Sequence, residues 1–82
     1  MGDDSGIIAA VAMNVRRLRQ AAGLSQEQLA FEAGLDRTYI SQVERQRRNI
    51  TITVLARLAR ALKVKPAELL KERGSFRKRA NV

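Results

Sequence analysis

Arg37 and Ser41, Thr38 and Gln42, and Thr38 and Ser41 stand four, four and three residues apart, the spacing that groups side chains on one face of a helix. All four carry hydrogen-bond donors. Arginine offers a two-pronged donor that fits the O6 and N7 atoms of guanine, glutamine can pair with adenine, and a threonine methyl can pack on thymine. Ile40 and Val43 supply the apolar inner face that would anchor such a helix. Just beyond stand Arg45, Arg47, Arg48 and Asn49, a density of donors that is self-repelling unless a polyanion neutralises it. The pattern suits side chains that meet a nucleic acid. Arg37, Thr38, Tyr39, Ser41 and Gln42 are expected toward bases; Arg45, Arg47 and Asn49, with Arg48 beside them, are expected toward phosphates.

These side chains need elements to position them. The stretch from Leu24 to Thr51 reads as two short helices joined by a Gly-centred turn, the helix-turn-helix unit whose second helix enters the major groove of DNA. Ser25 caps the first of the two, with Gln28 three residues on to complete a capping box. Leu29, Ala30 and Ala33 face inward, and Gly34 stops that helix in a left-handed conformation. Asp36 is expected to cap the reading helix over residues 37–46. Before this unit, Ile8, Val11, Val15, Leu18 and Ala22 form one apolar stripe on a helix over 7–22, ended by Gly23. After it, residues 47–51 form a loop. Thr51 or Thr53 caps a fourth helix carrying Val54, Leu55, Leu58, Ala59 and Leu62, and Pro66 opens a short fifth with Ala67, Leu69 and Leu70. Nothing reads as a strand. The expected fold is all-α, a compact five-helix bundle, with a flexible leader over 1–6, one domain over 7–72 and a basic flexible tail over 73–82.

Composition agrees with one small domain. The chain has 82 residues, of which 16 are Lys or Arg and 8 are Asp or Glu, for a net charge of +8. Five of the basic residues (Lys71, Arg73, Arg77, Lys78 and Arg79) lie near the C-terminus, yet the body remains basic, which favours a polyanionic partner through counterion release. Cysteine and histidine are both absent, so neither a disulfide framework nor a zinc site of the usual kind is available. The opening MGDDSG is acidic, unlike a secretory signal, and no apolar run approaches a membrane span. The acids are scattered and the glycines spell no phosphate loop, so no enzyme activity, metal or cofactor is expected. Three aromatics, Phe31, Tyr39 and Phe76, offer no stacking platform for unpaired RNA bases. A protein–protein adaptor on the same fold would be expected to have lost the arginine cluster.

Three further expectations come from placement. The start of the second helix presents free N–H groups to an anion, with Ser25 and Gln26 adding side-chain donors. Glu44 would repel phosphate if it faced DNA, so it is expected to turn inward and pair with Arg19. A lone helix-turn-helix reads few bases, so a C2 homodimer is expected, with Val64, Ala67 and Leu70 at its interface.

Arg19, the LSQEQLA segment, Gly34, Ile40, Val43, Glu44 and the closing LARLARALKVKPAELL together resemble the phage-repressor-type (Xre) helix-turn-helix family over Val15–Leu70. The segment LDRTYISQVERQRRNIT is more particular: it is similar to the controller proteins of restriction–modification systems, small cytoplasmic dimers that regulate their own gene and the endonuclease gene. The resemblance implies base or backbone contacts from Arg37, Thr38 and Tyr39, a base contact from Gln42, a phosphate contact from Gln26 and a further DNA contact, to a base, from Arg48. It implies a structural Arg19–Glu44 pair. In similar repressors an acidic patch on the second helix touches RNA polymerase, a position Glu27 matches. The family loop usually has glycine where this chain has Gln46. Solitary regulators of the same family, and antitoxins of toxin–antitoxin pairs, are the alternative readings.

Overall fold

The computed structural model describes residues 5–72, and these form five α-helices and no strand: α1 (Ser5–Ala21), α2 (Gln26–Ala33), α3 (Arg37–Glu44), α4 (Ile52–Leu62) and α5 (Pro66–Leu70). The basic tail and residues 1–4 of the leader lie outside the described residues. Ser5 and Gly6, expected in the leader, are helical instead. No stop signal separates them from the apolar stripe of α1, so the helix runs on to Ser5.

Helices of eight and five residues do not persist alone in water; these are held by a common core. Each of the five contributes one side chain with no exposed surface: Val15, Leu29, Ile40, Leu58 and Leu69. Around them pack Val11, Ala30, Ala33, Val43, Leu55, Ala59 and Leu62. Helix α2 lies against α3 and α4, and α1 braces α3 on one side and α5 on the other. Of the expected α1 stripe, Val11 and Val15 are buried and Leu18 packs against the core, but Ala22 is exposed because the helix has already ended.

One position on that stripe is polar. Asn14 is 1% exposed, and its Nδ2 donates to the carbonyls of Leu69 at 3.0 Å and Lys71 at 2.8 Å. Its oxygen accepts from Arg17 Nη2 at 3.3 Å. The last carbonyls of a helix have no partner within it. Asn14 supplies one for α5 and ties it to α1.

Helices α1 to α4 end by the same device. A left-handed residue follows each, at Gly23, Gly34, Gln46 and Lys63, with φ of 74°, 70°, 62° and 60°. The next amide then bonds back over five residues: Leu24 to Arg19, Leu35 to Ala30, Arg47 to Gln42 and Val64 to Ala59, at 2.8–3.0 Å. This is the Schellman arrangement, and an apolar residue ordinarily follows the turn to seal it. Leu24, Leu35 and Val64 do so, packing against the core. After α3 the corresponding residue is Arg47, which is exposed.

Candidate nucleic-acid interface

Helix α2 begins with a complete capping box. Ser25 Oγ accepts the Gln28 amide at 3.0 Å, and Gln28 Oε1 accepts the Ser25 amide at 2.7 Å. Three residues, Gly34 to Asp36, carry the chain into α3. Asp36 occupies the N-cap of α3 in an extended conformation, but its side chain makes no capping bond, contrary to expectation. Helix α3 also stops two residues short of the expected Gln46, because Gln46 itself takes the left-handed turn.

The angle of α3 is held from behind by one carboxylate. Glu44, 3% exposed at its side chain, accepts from Arg19 Nε at 2.6 Å, from Arg19 Nη2 at 3.0 Å and from Gln26 Nε2 at 3.1 Å. Arg19 also donates to the Leu24 carbonyl at 2.9 Å. Three helices thus converge on Glu44. Its hydrogen bond, followed by the opposing cost of burial and the favourable charge, raises the Arg19 pKa above the ordinary arginine value. Gln26, expected at a phosphate, turns one of its donors inward to this carboxylate. Spacing alone gives no sign of that bond, since Gln26 and Glu44 lie on different helices.

The outer face of α3 presents Arg37 and Thr38, both exposed, and the half-buried Ser41 and Gln42. Arg45, Arg47, Arg48 and Asn49 follow, all exposed. Tyr39 is half-buried against the core, and the guanidinium of Arg48 lies 4.5 Å above its ring centroid. Arg48 Nε donates to Gln42 Oε1 at 2.8 Å. The turn at Gln46 brings Arg48 back beside α3, which no helical periodicity would reveal. Among the described residues, then, one side of α3 is a dense array of donors and the other is fixed to the protein by Ile40, Val43 and Glu44. Such an array fits an acceptor-rich surface: base edges under α3 and phosphates beside the loop.

A helix-turn-helix model matches residues 15–69, which include α2, α3, the loop after it and every residue just named. The chain belongs to the helix-turn-helix family of transcription regulators. This regulator is similar to the control protein C.SmaI of Serratia marcescens, at 50% identity over 78% of this chain and 76% of that one. It also resembles the solved restriction-modification controller protein C.AhdI of Aeromonas hydrophila. The TM-score is 0.74 and the identity 47%, over 76% of this chain and 94% of that one. The Neisseria hypothetical transcription factor matches at 46% identity over 83% of this chain, which spans 64% of that protein's length. A solved Neisseria structure of that name superposes with a TM-score of 0.81 at 38% identity, over 100% of this chain and 92% of that one.

Apolar side chains are exposed on a second surface. Ile7 is 40% exposed, Ile52 85% and Leu70 39%. They line a cleft floored by Ile8, Ile50 and Leu55. Of the residues expected at a dimer interface, Ala67 and Leu70 are exposed. Val64 is half-buried, because it seals the turn after α4 against the core of its own chain. Ile7 and Ile52 were not expected there. Ile52 could have been found, being the one large apolar residue at the head of α4, off its inner face. Phe31, 85% exposed on α2, stands one helical turn after the exposed Glu27. No helix of the described residues is long and apolar enough to cross a membrane.

Proposed function

We propose that the protein is a homodimeric controller of a restriction–modification system, acting in the cytoplasm and binding a near-palindromic operator. Helix α3 lies in the major groove, where Arg37, Thr38, Tyr39, Ser41, Gln42 and Arg48 meet bases. Ser25, Gln26, Arg45, Arg47 and Asn49 meet phosphates. For Gln26 this uses the second N–H of the amide that holds Glu44. The observation that carries the reading is the donor face of α3 locked in place by Arg19 and Glu44, on a chain 50% identical to a control protein. Regulation covers its own gene, with activation of the endonuclease gene.

Two subunits would meet through the Ile7, Ile52 and Leu70 surface, with Ala67 at its rim. That sets half-sites about 10–10.5 base pairs apart. Sedimentation checks the dimer: a monomer at tens of micromolar would overturn it, and Ile52→Asp should weaken association. A footprint on the DNA upstream of its own gene tests the function as a whole. Protection of two half-sites one turn apart is expected, and no protection at low salt would refute it. For activation, Glu27 on the exposed face of α2 contacts RNA polymerase, with Phe31 beside it adding apolar area. In a reporter assay Glu27→Ala should abolish activation at full DNA occupancy. Untouched activation would remove Glu27 from this role.

A solitary regulator is the second reading. It is favoured by the likeness to the Neisseria hypothetical transcription factor. A footprint at the protein's own promoter, with no effect on an adjacent endonuclease gene, would select it.

A further inference from the structure

The bond between Arg48 Nε and Gln42 Oε1, 2.8 Å long, determines more than local order. A guanidinium has donors only, so the amide atom that faces it must be the oxygen. The orientation of the Gln42 amide is therefore set by chemistry. Arg48 is itself held, stacked over the ring of Tyr39, which packs against the core. With its oxygen engaged by Arg48, the end of the Gln42 amide left unengaged by that bond is the amino group, a donor of two N–H.

A glutamine free to turn recognises adenine with both ends of its amide, the oxygen taking the N6 amino hydrogen and the nitrogen giving to N7. The coplanar fork that this needs is lost when the oxygen is turned aside to Arg48. Guanine shows two acceptors in the same place, O6 and N7, and asks only for donors. Gln42 has two to give, and the terminal nitrogens of Arg48 add others beside it. We propose that Arg48 makes Gln42 a donor-only reader, so that the base pair beneath it is selected as guanine and adenine is disfavoured. The inference rests on α3 lying in the major groove, as proposed above. It assigns to Arg48 a role in specificity exerted through another side chain, apart from any contact of its own.

Selection from randomised duplexes tests it, with the wild type, Gln42→Ala, Arg37→Ala and Arg48→Ala compared at equal helix content by circular dichroism. The position that loses preference in Gln42→Ala is the base pair under Gln42. The wild type should enrich guanine there over adenine by at least about 5-fold. Arg48→Ala should free the oxygen and move that position toward adenine. Enrichment of adenine by the wild type, or an unchanged guanine preference in Arg48→Ala, would overturn the proposal. If Gln42→Ala alters no position while Arg37→Ala does, α3 still reads DNA and this proposal alone fails. If no sequence is enriched by the wild type, the major-groove reading fails with it.

Discussion

Replacing Glu44 with alanine should be the most damaging single change outside the apolar core. The carboxylate is 3% exposed and receives three side-chain hydrogen bonds, two of them from an arginine whose side chain is 11% exposed. Removing it leaves Arg19 charged and nearly enclosed, with the Leu24 carbonyl its one remaining acceptor among the described residues. Breaking a buried pair from one side costs about 3–5 kcal/mol. Arg19 lies near the surface and can be reached by water, so the lower end, about 3 kcal/mol, is expected. A domain of this size has a total stability of only about 4–10 kcal/mol. At roughly 4–8 °C per kcal/mol, the midpoint of thermal unfolding should fall by about 12–24 °C. Urea denaturation followed by circular dichroism measures the difference directly. Arg19→Met with Glu44→Leu should recover most of the loss, since replacing both charges by apolar groups strands neither. A cost below about 1 kcal/mol for Glu44→Ala, as for an exposed ion pair, would refute the reasoning. The arginine half of the pair carries no pH dependence in the ordinary range. Its pKa is raised on folding, so its contribution is complete below the ordinary arginine value and is lost only in strong alkali.

Lys63→Gly and Gln46→Gly should each raise stability by about 0.5–1 kcal/mol, read as a higher melting temperature, because a side chain in the left-handed region costs about 1–2 kcal/mol and glycine returns part of that as chain entropy. Asn14→Ala should cost about 1–3 kcal/mol and should speed amide exchange in α5 before the rest of the molecule, since the carbonyls of Leu69 and Lys71 lose their donor. Arg37→Ala should lose about 1–3 kcal/mol and relax preference at one base pair, whereas Arg47→Ala should weaken all sequences alike and flatten the salt dependence by about one unit. Binding isotherms on operator and random duplexes at several salt concentrations separate the two.

The helices were legible where their ends carry chemistry. Ser25 with Gln28, Gly34, Thr51 and Pro66 mark boundaries through local bonds or fixed backbone angles, and the structure has them there. The left-handed turn at Lys63 was not legible, and that at Gln46 only through the glycine usual there in similar proteins, because neither lysine nor glutamine prefers that region. Asn14, being polar, does not stand out as a core residue. Its spacing did hold a signal: Val11, Asn14, Val15 and Leu18 follow at three, four and seven residues, so Asn14 sits within the apolar stripe. In the candidate interface, Arg37, Thr38, Ser41 and Gln42 could be assigned to one face because a single helix carries them. The bonds of Gln26 to Glu44 and of Arg48 to Gln42 cross between elements, where sequence spacing is silent.

The bonds from Asn14 to Leu69 and Lys71 join the first helix to the end of the last, across 55 and 57 residues of chain. Leu69 also fills the centre of the core. During synthesis, then, the core lacks its last side chain, and α1 one of its two braces, until residue 71 has left the ribosome. At about 5–20 residues per second that takes roughly 4–14 s. Small helical domains collapse to their native state in microseconds to milliseconds once complete. Manufacture, rather than folding, sets the pace at which active protein accumulates, and the faces of α1 and α4 that α5 covers stay open to the end of that interval.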